Sequence, residues 1–165
     1  MSEQIDFHLR YPKGDDDIIK IFHFLCVVAR PVLLGPVDAQ KAVAEVGRVV
    51  MDPFREEGPA PDSFAIVAET NGELVGTIGV VTMGDWYGHR KFMTNRWFFV
   101  FPQLANSGIG AALLADAGAM CAQIGLDLVI HRNTHDRRNR ASGRGIIFTS
   151  PPQVMRAGNI KKSMQ

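Results

Sequence analysis

The apolar and polar positions along the chain predict an ordered series: a strand, two helices, three strands, a helix and a further strand. Phe7-His8-Leu9-Arg10-Tyr11 alternates and stops at Pro12, the pattern of a short strand. Asp15, Asp16 and Asp17 then offer an N-cap and negative charge to a helix start. Ile18, Phe22, Leu25, Cys26 and Ala29 share one face of that helix, and Pro31 closes or kinks it. A second helix opens at Pro36-Val37-Asp38 with Val43, Val46 and Val50 at helical spacing. Residues 52–62, with Pro53, Gly58, Pro59 and Pro61, read as a surface loop.

The next stretch predicts a hairpin. Ser63 to Glu69 and Glu73 to Val81 are strands joined at Asn71-Gly72, the strongest short hairpin signal in the chain. Thr82 to Asn95 reads as a longer polar connection carrying Asp85, Trp86, Tyr87, His89 and Arg90. Arg96 to Phe101 is a run of bulky apolar residues ending at Pro102, a buried strand. From about Gly108 a helix places Ile109, Leu113, Leu114, Ala117, Met120, Cys121 and Ile124 inward, with Gly125 at its C-terminal cap. Leu126 to Ile130 is another buried strand. Beyond His131 the pattern degrades into an arginine-rich stretch, a short strand at Ile146-Ile147-Phe148, Pro151-Pro152 and a weak last strand near Asn159 to Met164. A hairpin beside a strand–helix–strand crossover implies a mixed α/β sheet.

Composition narrows the class. A chain of 165 residues fits one domain spanning 1–165, and 46% hydrophobic with 21% charged residues fits a globular protein with a core. The net charge of +1 gives no global pull towards nucleic acid or membrane. The N-terminus lacks the basic and apolar regions of a signal peptide, and no apolar run is long enough to span a bilayer. Cys26 and Cys121 read as reduced core residues, which favours a cytoplasmic setting.

The chemistry concentrates after Pro102. A buried strand feeds a short polar loop, then Gly108-Ile109-Gly110, then an amphipathic helix. The first N–H groups of a helix have no internal partner, and the peptide dipoles add positive charge there. Glycines let phosphates approach the backbone, so this loop reads as an anion cradle.

This order of elements, with Val100-Phe101-Pro102, Gly108-Ile109-Gly110 and the hairpin Ile66-Val67-Ala68-Glu69…Gly72-Glu73-Leu74-Val75-Gly76, resembles the GNAT superfamily of N-acetyltransferases, including a type often encoded by tailed bacteriophages. The resemblance covers about Phe7 to Ile130 and leaves 131–165 degenerate. It implies an α/β (α+β) fold: a mixed, mostly antiparallel sheet of six to seven strands flanked by about four helices. It implies acetyl-CoA as co-substrate, with the pyrophosphate over Asn106, Ser107, Gly108, Ile109, Gly110 and Ala111. The pantetheine arm would lie between the strand at Phe98 to Phe101 and the strand at Leu126 to Ile130. A backbone N–H near Phe99 or Val100 would polarise the thioester carbonyl, with Phe101 completing the cofactor-binding stretch.

Two departures from the family pattern stand out. The family's Arg or Gln at the loop start falls on Ala105, with Arg96, Gln103 or an arginine beyond His131 as substitutes. The family's Tyr after the fifth strand has no counterpart between His131 and Phe148; only Tyr11 and Tyr87 exist. Asn133, Ala141, Gly145 and Phe148 are fragments of the motif expected there. Candidate acid–base residues are Tyr87, His89 and His131, beside ordinary structural readings for each, and Glu69 is a remote candidate that reads more simply as a solvent-facing strand residue. His131, His135 and Asp136 lack a third well-placed ligand, so no metal is expected. Arg132, Arg137, Arg138, Arg140 and Arg144 form a basic patch that fits the 3′-phosphate of coenzyme A, nucleic acid or an acidic protein surface as well as a solvated face.

The expected activity is therefore acetyl transfer to a primary amine on a small molecule, peptide or protein, in the cytoplasm, or in a host cytoplasm or virion if the protein is phage-encoded. Nucleic acid and membrane are not expected partners, and a homodimer or protein assembly is compatible with the pattern. The alternative is a catalytically inactive GNAT-fold interaction or structural protein, such as a phage virion component.

Overall fold

Asn71 and Gly72 turn the chain back on itself with φ of 50° and 80°, the left-handed pair that a two-residue hairpin turn demands. A computed structural model describes residues 5–29, 36–51, 61–85, 88–131 and 153–155. In chain order the elements are β1 (His8–Arg10), α1 (Gly14–Val28), α2 (Ala39–Met51), β2 (Ser63–Thr70), β3 (Glu73–Gly84), β4 (Lys91–Val100), a 3-10 turn (Pro102–Leu104), α3 (Ile109–Ile124), β5 (Leu128–Ile130) and β6 (Gln153–Met155). The strands form one sheet in the order β1-β2-β3-β4-β5-β6. Every pairing is antiparallel except β4 with β5, which α3 connects as a crossover. The mixed, mostly antiparallel sheet is the expected one, with three α-helices and the 3-10 turn among the described residues.

Each face of the sheet has its own core. Phe64, Ile66, Ala68, Ile78, Val80 and Met93 pack beneath Ile109, Leu113, Ala117 and Cys121 of α3. On the other face Ala65, Val67, Val81 and Trp97 meet Ile18 and Ile21 of α1 and Val46, Val49 and Val50 of α2. The alternation of β2 and β3 therefore serves two buried faces, so β2 is almost wholly buried and β3 is buried from Val75 to Val81.

Three details differ from the sequence reading. The stretch from Thr82 to Asn95 is mostly strand: Thr82 pairs with Met93, Met83 with Phe92 and Gly84 with Lys91. These far ends leave Met83 49% exposed, so they carry no apolar stripe for a sequence pattern to show. Helix α1 is capped differently too. Lys13 stands at its N-cap without a side-chain cap bond, and its N–H donates to Asp17 Oδ2 at 2.6 Å. Finally, β6 forms at Gln153–Met155, whereas the strands expected at 146–148 and near 159–164 lie outside the described residues.

Candidate functional site

Strands β4 and β5 pair over two positions, and β5 then ends. Their parallel pairing holds for Met93 with Leu128 and Thr94 with Val129. The closed end is pinned by the Met93 N–H donating to the Asp127 carbonyl at 2.8 Å and by an Arg90–Asp127 ion pair. β5 ends at Ile130, while β4 continues through Asn95 to Val100. Among the described residues no strand pairs with that last part of the β4 edge, and this unpaired stretch is the candidate cleft.

A bulge re-aims β4 where the cleft begins. The Met93 N–H points to β5, whereas the Phe101 N–H donates to the Val75 carbonyl of β3 at 2.9 Å. Residues of one parity point the same way along a regular strand, so one extra residue must lie between them. The register locates it: Gly79 pairs with Trp97 and Val80 with Asn95, which leaves Arg96 unpaired. Counting back from Phe101, Phe99 and Trp97 also face β3, and Phe98 and Val100 turn their N–H and C=O groups into the cleft. Of the expected stretch Phe99, Val100 and Phe101, only the Val100 backbone lines the cleft. The Phe101 ring instead meets Phe24 of α1 edge-on, with centroids 5.0 Å apart. Phe98 begins the strand stretch expected to flank the pantetheine arm but was not singled out as a binding residue; strand parity becomes usable only once one hydrogen bond fixes it.

The cleft mouth carries the anion cradle. Gly108 is the N-cap of α3 with φ 87°, and a Cβ there would meet nothing within 4 Å. Asn106, Gly108 and Ala111 are exposed. The N–H groups of Asn106, Gly108, Gly110 and Ala111 find no acceptor among the described residues, which leaves four donors at a helix N-terminus. Ser107 turns inward instead: its N–H and hydroxyl donate to the Leu104 carbonyl at 3.1 and 2.7 Å. Its Oγ accepts the Ile109 N–H at 3.4 Å. The two glycines differ in purpose. A Cβ on Gly110 would stand 3.6 Å from Phe98 Cζ and 3.7 Å from Val100 Cγ2, so its bare side faces the sheet and sets the α3 N-terminus level with Val100.

The ionisable candidates are scattered. His131 follows β5 at the apex of the cleft and is exposed. Its N–H donates to Asn95 Oδ1 at 2.8 Å and its carbonyl accepts from Asn95 Nδ2 at 3.0 Å. His89 is exposed in the β3–β4 connection, at the opposite end of β4 from the cradle. Tyr87, with Trp86 and the arginines from 132 to 144, lies outside the described residues, as do His135 and Asp136. Tyr11 follows β1 on the far edge of the sheet, and burial pushes its pKa up. Among the described residues no cluster of three His, Cys, Asp or Glu side chains assembles.

Two readings of charged residues are corrected. Glu69 does not face solvent: it is 7% exposed, with its carboxylate held by Arg10 at 2.6 and 3.1 Å and by His8 at 3.3 Å. The Arg10 guanidinium keeps its pKa below the ordinary glutamate value, so it is a poor base. Strand β1 and helix α1 cover that edge, and strand alternation alone does not reveal the cover. Arg96 does not reach the cradle. Its Nε pairs with Glu45 Oε1 of α2 at 3.1 Å, on the face away from α3.

Residues 61–143, half of the chain, match the acetyltransferase (GNAT) domain family. No curated protein matches by sequence. Among solved structures, the chain is similar to a GNAT family acetyltransferase from Brucella melitensis in complex with acetyl-CoA, at TM-score 0.59 and 17% identity over 91% of this chain and 95% of that one. It is also similar to a GNAT family acetyltransferase from Staphylococcus aureus, at TM-score 0.55 and 17% identity over 89% and 96% of the two chains. A third likeness is to the PaiA N-acetyltransferase of Thermoplasma acidophilum in complex with coenzyme A, at TM-score 0.56 and 11% identity over 84% and 86%.

Proposed function

Since the chain belongs to the acetyltransferase (GNAT) domain family, we propose that it is an acetyl-CoA-dependent N-acetyltransferase acting on a primary amine. One observation carries this reading: β4 and β5 pair at two positions, and the β4 edge beyond them, which has no partner strand among the described residues, lies beside an exposed set of unpaired helix N-terminal amides. The pyrophosphate of acetyl-CoA takes the N–H groups of Asn106, Gly108, Gly110 and Ala111. The pantetheine arm follows the free β4 edge, where Phe98 and Val100 offer backbone donors and acceptors. An amine nitrogen attacks the thioester carbon, a cleft-facing N–H of β4 stabilises the oxygen as negative charge develops, and collapse breaks the C–S bond to release coenzyme A as a thiolate, which takes up the proton the amine gives off. Holding the two reactants together supplies much of the rate. His131 stands nearest the apex and is the described candidate for moving the amine proton, directly or through water. The acceptor is an amine on a small molecule, peptide or protein.

Isothermal titration with acetyl-CoA tests the reading. Micromolar binding supports it; no heat and no thermal shift at millimolar ligand discards it. The second reading, a GNAT-fold protein that has lost catalysis and serves as an interaction or structural component, is favoured by Ala105, an exposed position that lacks the long polar side chain expected of the cradle. A panel of amines with free-thiol detection separates a binder that turns over from one that does not.

A further inference from the structure

We infer that the Asn95 side chain is the floor of the acyl cleft and restricts this protein to short acyl groups, an inference that rests on the acetyl-CoA reading above. In an uninterrupted parallel ladder the β4 backbone takes the next rung of β5. Here the ladder stops at Val129 and the Arg96 bulge follows directly, and the Asn95 carboxamide takes the rung instead. It accepts the His131 N–H at 2.8 Å and donates to the His131 carbonyl at 3.0 Å. The amide thus spans from β4 to the residue that follows β5, and it closes the cleft at its apex.

The length of the bound arm places the acyl group against this bridge. The Gly110 contacts set the cradle level with Val100. A pantetheine arm has about twelve bonds from phosphate oxygen to sulfur, equivalent to four extended residues or ~13–14 Å. Four strand residues from Val100 back to Arg96 cover ~13 Å. The sulfur therefore arrives beside Arg96, and an acetyl group reaches one residue further, to the carboxamide of Asn95. A longer chain has to displace the Asn95–His131 bridge or bend out of the cleft.

The test needs no acceptor. Acetyl-, propionyl- and butyryl-CoA, with free CoA as the reference, are titrated calorimetrically into the wild type, Asn95→Ala, Asn95→Ser and Asn95→Asp. The wild type is expected to bind butyryl-CoA about tenfold or more weaker than acetyl-CoA. Asn95→Ala and Asn95→Ser, which shorten the floor, bring the two within about threefold. Asn95→Asp keeps the size and the acceptor for the His131 N–H but sets a carboxylate oxygen against the His131 carbonyl, so it loosens the bridge and narrows the discrimination. Free CoA binds all four proteins alike. A wild type that takes both acyl lengths equally overturns the inference, as does unchanged discrimination in a folded Ala or Ser variant. Absence of binding by CoA and every acyl-CoA marks failure of the acetyltransferase reading itself, and the inference falls with it.

Discussion

The indole of Trp97 lies flat against the backbone of Gly79, with Cε2 and Cζ2 only 2.4 Å from where a Cβ would stand. The two residues are direct cross-strand partners, and Trp97 is the first residue beyond the Arg96 bulge. Its Nε1–H donates to Thr77 Oγ1 at 3.2 Å, and the Thr77 hydroxyl donates to the Ile66 carbonyl at 3.0 Å. The bare glycine and this short relay fix the ring, and with it the direction in which β4 leaves the bulge.

A methyl group at Gly79 therefore has to expel the ring. Gly79→Ala is expected to cost about 2–3 kcal/mol, as for an overpacked core, by urea denaturation. The Gly79→Ala/Trp97→Phe double variant gives the methyl room, so its loss should be smaller than the sum of the two single losses. Additive losses show that the indole moves aside without strain.

Arg10 ties three elements together by holding Asp17 of α1 at 2.7 and 2.8 Å and Glu69 of β2 at 2.6 and 3.1 Å. Both carboxylates sit below their ordinary values of 3.8 and 4.5, chiefly through their hydrogen bonds to Arg10. A lowered folded-state pKa contributes stability above the unfolded-state value and loses it as pH falls through the folded-state value. The network is therefore intact at neutral pH and weakens below about pH 4. Arg10→Met strands two nearly buried carboxylates and should cost ~3 kcal/mol at pH 7. At pH 3 the difference from wild type should shrink, because protonated carboxyls no longer need the guanidinium. Equal losses at both pH values count against the network.

What was legible in the sequence was whatever a single local residue dictates. Asn71-Gly72 marked the hairpin, and Gly108 and Gly125 marked the two ends of α3, all with the positive φ values their positions require. The bulge was hidden because an extra residue is defined by the partner strand, and nothing in Asn95-Arg96-Trp97 marks it in isolation. The buried Glu69 was hidden for the same reason: its partner Arg10 is remote in sequence, and only the folded sheet joins them. The Asn95–His131 bridge combines both problems, a side chain standing in for backbone across a parallel pair.

The two cradle glycines should respond differently to substitution. Gly108 needs its left-handed φ of 87°, so Gly108→Ala should cost ~1–2 kcal/mol. Gly108→Glu adds a negative side chain in the open space over the free amides and should abolish acetyl-CoA binding in a folded chain. Gly110→Ala puts a methyl at ordinary contact distance from Phe98 and Val100 in a helical conformation, and should gain up to ~1 kcal/mol of helix propensity with affinity unchanged. Calorimetry and urea melts read both effects. Equal loss of affinity at both positions means that the ligand lies against Gly110 and the placement over Gly108 is wrong.

The two cysteines should also separate chemically, although both read as core residues in the sequence. Cys26 is only half-buried, whereas Cys121, on the sheet-facing side of α3, is 1% exposed. Burial pushes the Cys121 thiol up to about 12, and its Sγ lies 3.6 Å from Met93 Sδ. The thiolate is the reactive form, and at pH 8 such a thiol holds about one part in ten thousand as thiolate. An aromatic disulfide reagent should therefore titrate one thiol per folded chain, and Cys26→Ser should remove that reaction. Cys121 should react only on the timescale of unfolding and accelerate with added urea. Rapid modification of Cys121 in the native Cys26→Ser variant means that α3 lifts from the sheet without global unfolding, and the cradle at its N-terminus would then be mobile as well.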